Sequence, residues 1–131
     1  ETLSGESWID VKGSVPPEEV PPLVVASDII ALPSTYSSEC QPLAVLQGML
    51  AGRPVLVCDT AAMRATVGEY PATFVERHPA SIADALRPLI RRGEKTTFDE
   101  AAALLHERFS LAAFDACIQK VLIADSTAQR Q

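Results

Sequence analysis

The residues best placed for chemistry lie between Leu32 and Val55, where the carboxylate Glu39 and the amide Gln47 stand on either side of Pro42 with seven residues between them. An apolar run ending at Leu32-Pro33 passes into a polar loop, Ser34 to Gln41, and then into a helix-forming stretch. A loop that leaves the carboxyl end of a buried parallel strand is where open α/β sheets bind ligands, and the next helix offers unpaired amides and a partial positive charge there. A diphosphate suits such a place. Pro42 has no N–H to give, so the donors would be the amides of Gln41, Leu43 and Ala44. A carboxylate at Glu39 would repel phosphate unless it points past it to neutral hydroxyls, as on a sugar. Gln47, two helical turns beyond the loop, can donate to and accept from a vicinal diol. The plainer readings stay open: Glu39 as a solvated carboxylate complementing the helix dipole, and Gln47 as a half-exposed residue on a helix wall.

Other chemistries fare worse. Ser34, Ser37 and Ser38 lack a G-x-S-x-G elbow and read as turn formers. No G-x-G-x-x-G or Walker pattern is present. His78 and His106 have no second His or Cys at metal spacing, so no metal ligands are assigned and both are read as structural or exposed. Arg91-Arg92 follows a helix end, where cations complement the dipole. Cys40, Cys58 and Cys117 are odd in number, widely spaced and free of a Cys-x-x-Cys pair, which fits reduced, buried thiols of a cytosolic protein.

The elements that must carry the loop alternate. Apolar runs at Trp8–Gly13, Asp28–Pro33, Pro54–Asp59 and Thr73–Glu76 read as strands, the first as a half-exposed edge and the second and third as covered on both faces. Helices are expected at Pro22–Ser27, at Pro42–Ala51 with Gly52 as its stop, and at Ala61–Gly68. After residue 78 only helices follow. Ser81-x-x-Asp84 opens one that Pro88 should kink, and Thr97-x-x-Glu100 opens the next, running to about Phe109. Ser110 starts a last helix whose Leu111, Phe114, Ile118, Val121 and Leu122 form an apolar core face, with Asp125–Gln131 expected to fray. Strand and helix in alternation give an α/β fold, a Rossmann-like parallel sheet of about four strands flanked by helices, with a C-terminal run of helices.

Composition agrees with one such unit, residues 1–131 read as a single domain. The 131 residues are 47% hydrophobic and 21% charged, which excludes disordered and low-complexity classes. No run approaches the roughly 18 apolar residues of a membrane span, and the acidic start, Glu1 to Glu6, is no signal peptide. A net charge of -6 disfavours nucleic acid as a partner, since phosphate neutralisation supplies most non-specific affinity. The expected location is the cytoplasm, with a place at the inner face of a membrane left open.

Pro33-Ser34, Glu39, Pro42-Leu43 and the run Gln47-Gly48-Met49-Leu50-Ala51-Gly52-Arg53-Pro54-Val55 resemble the C-terminal signature of the retaining GT-B glycosyltransferases, the glycosyl transferases group 1 family. Gly13-Ser14-Val15, Glu18-Glu19, Ala26-Ser27-Asp28 and Arg108-Phe109-Ser110 match that family's order, so the resemblance extends over nearly the whole chain. It implies that Glu39 contacts donor-sugar hydroxyls, that the second acidic position, which holds the ribose, falls on Gln47, and that main-chain groups around Ser14 and Val15 lie near the base. Gln47-Gly48-Met49-Leu50 departs from the family's Glu-Ala-Met-Ala, which implies weakened or lost ribose binding.

The resemblance further implies a UDP- or GDP-sugar as donor substrate, a glycan or lipid as acceptor, and no cofactor or metal. Family members set an arginine and a lysine from the early part of this domain against the diphosphate and use a separate N-terminal domain for the acceptor. Neither has room here, so the chain is expected to be a domain incomplete at its N-terminal side, completed by a missing domain or a partner chain and a poor enzyme alone. A contrasting reading makes it a non-catalytic, degenerate α/β module, marked by Gln47, that serves as an interaction or structural domain.

Overall fold

The computed structural model describes residues 6–36, 40–92 and 99–128, with only the backbone course given for 91–92, 99–102, 104 and 121–128. Three short parallel strands, β1 (Ile30–Leu32), β2 (Val55–Cys58) and β3 (Ala72–Val75), form a sheet in the order β1-β2-β3. Val55 sits between Ile30 and Ala72, and Val57 between Leu32 and Phe74. Parallel strands need crossovers, and helices supply them: α2 (Leu43–Leu50) joins β1 to β2 and α3 (Ala61–Val67) joins β2 to β3. Before the sheet run a 3-10 turn (Pro17–Glu19) and α1 (Val20–Ala26); after it come α4 (Pro79–Arg92), α5 (Asp99–Arg108) and α6 (Leu111–Ala128). The α/β class expected from the sequence is the one observed.

Local chemistry explains the boundaries. Gly52 and Gly68 take positive φ, +64° and +60°, directly after α2 and α3. Thr60 opens α3 by accepting a bond from the Met63 amide at 3.2 Å, and Ser110 opens α6 by accepting from the Ala113 amide at 3.1 Å. The core lies where alternate strand residues meet the crossovers: Val55 and Val57 pack with Val45 and Met49 of α2, Met63 and Val67 of α3, Tyr70, and Leu105 of α5. Leu56 and Cys58, pointing the other way, are also buried, as a central parallel strand requires.

Five expectations are corrected. Trp8–Gly13 forms no strand: no ladder partner lies beside it among the described residues, and Trp8 is 78% exposed with its indole N–H bonded to Glu6. The sheet therefore has three described strands, and β1 is an edge whose Ala31 is exposed instead of covered on both faces. Helix α4 starts at Pro79, two residues before Ser81, because proline's fixed φ suits a first helical turn, and Pro88 lies inside it. Helix α6 runs on through Asp125 to Ala128, and its Leu111, Phe114 and Ile118 are exposed, since no described element covers that face. Of the cysteines only Cys58, on the central strand, is buried; Cys40 and Cys117 are exposed. Thr97 of the second capping pair lies outside the described residues.

Tyr70 ties two loops by donating from its hydroxyl to the Arg53 carbonyl at 2.9 Å. Burial pushes its phenol well above the ordinary range, with the nearby Arg53 charge opposing weakly. Raised folded-state affinity for the proton means the contribution is intact below the unfolded tyrosine pKa of about 10 and declines as pH rises beyond it. Denaturant midpoints measured from pH 8 upward should fall above about pH 10, and less steeply in Tyr70→Phe; equal slopes would show that Tyr70 is not responsible.

Candidate active site at the carboxyl edge of the sheet

The three strands end at one edge, and each exit is a tight turn. After β1 the Ser34 amide donates to the Leu32 carbonyl at 2.8 Å across Pro33, and the Tyr36 amide donates to Ser34 Oγ at 3.2 Å. After β3 the His78 amide donates to the Glu76 carbonyl at 2.7 Å, leaving Arg77 at the apex of a three-residue turn. Between them, at the end of β2, the Asp59 amide donates to the Val75 carbonyl at 3.1 Å. An open cleft of about 560 Å³ results, lined by Leu32, Pro33, Ser34, Thr35, Tyr36 and Arg77. That volume is within the range of small-ligand sites.

The charges around this edge are unequally committed. Arg64 grips Asp59 with two bonds, Nε to Oδ1 at 2.6 Å and Nη2 to Oδ2 at 2.7 Å, and its guanidinium lies 4.6 Å from the Phe74 ring centre. The hydrogen bond from Arg64 holds the Asp59 carboxyl below the usual carboxylate range, desolvation opposing. Arg77 has no such partner among the described residues.

Helix α2 begins as the sequence suggests, with a boundary one residue later. Pro42 is buried and sits at the N-cap with extended ψ of 113°, and its carbonyl accepts from the Val45 and Leu46 amides at 3.1 and 3.2 Å. The ladder thus starts at Val45, and the Leu43 and Ala44 amides precede it, as first-turn amides do. Gln41 and Ala44 are exposed and Leu43 is 72% exposed, so solvent reaches this opening turn. Glu39 lies outside the described residues, as do Ser37 and Ser38.

Gln47 is exposed on α2 but is not brought into the cleft with Arg77. It lines a second, mostly apolar groove of about 240 Å³ between α1 and α2, together with Pro21, Val24, Val25, Leu50 and Ala51. Ser14, exposed, and Val15, half-buried, precede the 3-10 turn and line neither space. Arg77, Thr35 and Tyr36 were not singled out from the sequence. The rule that placed a site after β1 applies equally after β3, and applied there it would have found Arg77.

A family model described as glycosyl transferases group 1 matches residues 1–92, well over half of the 131. The chain belongs to this family. Its general chemistry is therefore glycosyl transfer, with a sugar donor and an acceptor as substrates. No curated protein and no solved structure matches the chain. The match spans β1, the loop after it, α2, β2, α3, β3 and α4, so the whole carboxyl edge of this group 1 sheet lies inside it. No described helix is long and apolar enough to cross a membrane.

Proposed function

We propose that this chain is the nucleotide-sugar-binding domain of a retaining GT-B glycosyltransferase that moves a hexose from a UDP- or GDP-sugar to a glycan or lipid acceptor. The observation that carries the reading is the opening of α2 at the carboxyl edge of a parallel sheet, within the segment matched to group 1 glycosyltransferases. In this reading the amides of Gln41, Leu43 and Ala44 face the diphosphate, Glu39 takes hydroxyls of the donor sugar, Gln47 takes the ribose, and main-chain groups of Ser14 and Val15 border the base. As the bond from the sugar's anomeric carbon to the diphosphate oxygen breaks, its electron pair leaves with the diphosphate. Donors already aimed there stabilise that growing charge without reorganising.

Two surfaces favour completion by an N-terminal domain or a partner chain. The edge strand β1 is open on its outer side among the described residues, and Leu111, Phe114 and Ile118 of α6 present an uncovered apolar face. The active enzyme would then be the assembled pair, and the location cytoplasmic.

Titration of the full chain with UDP- and GDP-sugars, followed by amide chemical shifts, tests the proposal. Weak binding with shifts at residues 41–47 is expected; Glu39→Ala should weaken it by about tenfold or more, the scale of a lost charged hydrogen bond, and Gln47→Glu should strengthen it. Absence of heat and of shifts near 39–47 with either donor class would instead favour the non-catalytic module.

A further inference from the structure

We infer that Arg77 is an anion-binding residue, which takes a phosphoryl oxygen of a diphosphate in the cleft it shares with Ser34, Thr35 and Tyr36. The identity of the diphosphate as part of a nucleotide sugar rests on the function proposed above; the anion site itself does not.

Three observations converge on it. The first is the commitment of the other guanidinium groups. Among the arginines with described side chains, Arg53 donates to the Val25 carbonyl, Arg64 to Asp59, Arg87 to Asp84, and Arg108 to the carbonyls of Ala65 and Thr66. Arg77 alone of these has no partner among the described residues, although it lines a cleft. A guanidinium is weakly hydrated and presents a planar fork that matches phosphate, so donors without a partner among the described residues have a ready ligand.

The second is placement. Arg77 stands at the apex of the turn between β3 and α4, fixed on one side by the ladder to β2 and on the other by the Ile82 amide donating to the His78 carbonyl at 3.0 Å. A side chain carried on such a strand-to-helix turn is held better than one on a long loop. Facing it are the residues that follow β1, which bring the hydroxyls of Ser34, Thr35 and Tyr36.

The third is the charge balance. The chain carries a net charge of -6, so its overall field repels anions and a local cation must do the attracting. The carboxylate at the end of the central strand, Asp59, is already neutralised by Arg64, and Glu76, next to Arg77, does not line the cleft. Arg77 is the one charged side chain among the described lining residues.

Titration of the full chain with inorganic pyrophosphate, read from the Arg77 Nε–H resonance and the amides of residues 34–36, checks this. Those signals should move together, and Arg77→Gln should weaken binding by about tenfold while Arg77→Lys retains part of it. Arg87→Gln, at an exposed arginine away from the cleft, should leave it unchanged. Equal affinity in wild type and Arg77→Gln, or equal loss in Arg87→Gln, overturns the assignment. Pyrophosphate binding at Arg77 without binding of UDP- or GDP-sugars would sink the proposed function and keep the anion site. Nucleotide-sugar binding at residues 41–47 that is indifferent to Arg77→Gln would do the reverse. Because Arg77 is exposed and has no partner among the described residues, melting temperatures of the variants should match, and a lowered one in Arg77→Gln leaves the Arg77→Lys comparison to decide.

Discussion

Met49→Ala should cost about 2–5 kcal/mol of folding stability, the range for truncating a fully buried methionine. Met49 has 0% exposure and stands on α2 within the cluster of Val45, Val55, Val57, Met63, Val67, Tyr70 and Leu105. Its side chain therefore fills space bounded by the sheet, both crossover helices and α5, and no one of these can move inward without dragging another. The loss should approach the upper end of the range where the surroundings cannot collapse. Set against the roughly 5–15 kcal/mol that holds a typical domain together, this leaves a marginal fold. Urea unfolding gives the test: a midpoint shifted down at unchanged m confirms a packing defect, and a shift worth under about 1 kcal/mol would mean the core is looser than its burial implies.

Gly48→Val should be comparably damaging for the opposite reason. A Cβ at position 48 would meet Ile30 Cγ1 at 2.7 Å and Ile30 Cβ at 3.0 Å, so α2 lies directly on β1 with no room for a side chain. The obstacle is the stiff, β-branched root of an isoleucine held in the sheet, which cannot swing aside as a long side chain's tip would. Overpacking typically costs about 1–3 kcal/mol and occasionally more, and valine's own branching adds to it. Gly48→Ala gains about 0.5–1 kcal/mol from the helix backbone and so should lose less. The contact is checked by a double-mutant cycle: Ile30→Ala should partly rescue Gly48→Val, and strict additivity would show that the two residues do not collide. The family's usual alanine at this place would need a slightly wider gap between helix and strand than this chain has.

Much of this architecture was legible because its signals are local. Apolar runs bounded by Pro33, Pro54 and Asp59 marked β1 and β2, and Gly52, Gly68 and Ser110 marked helix ends to within a residue or so. The failures are non-local. Trp8–Gly13 has a strand's alternation, but a strand exists only where a neighbour accepts its ladder, and the residues beside it do not encode one. Leu111, Phe114 and Ile118 have a core helix's period, yet periodicity cannot say what covers a face. The site divides in the same manner. The opening of α2 follows from Pro42 and its flanking residues, whereas the separation of Gln47 from the cleft depends on how α1 packs against α2. Arg77 reaches the cleft only because β3 lies two strands from β1, a fact of sheet order and not of spacing.

The reach of α5 has a further bearing on how the chain is divided. Its Leu105, 4% exposed, closes the core, and Arg108 bonds the Ala65 carbonyl at 2.8 Å at the end of α3, where an added Cβ on Gly68 would strike the guanidinium at 2.5 Å. The family-model match ends at residue 92, before α5 begins. The matched stretch is therefore smaller than the stretch that seals the interior, and an excision drawn along the former would strip the lid from the latter.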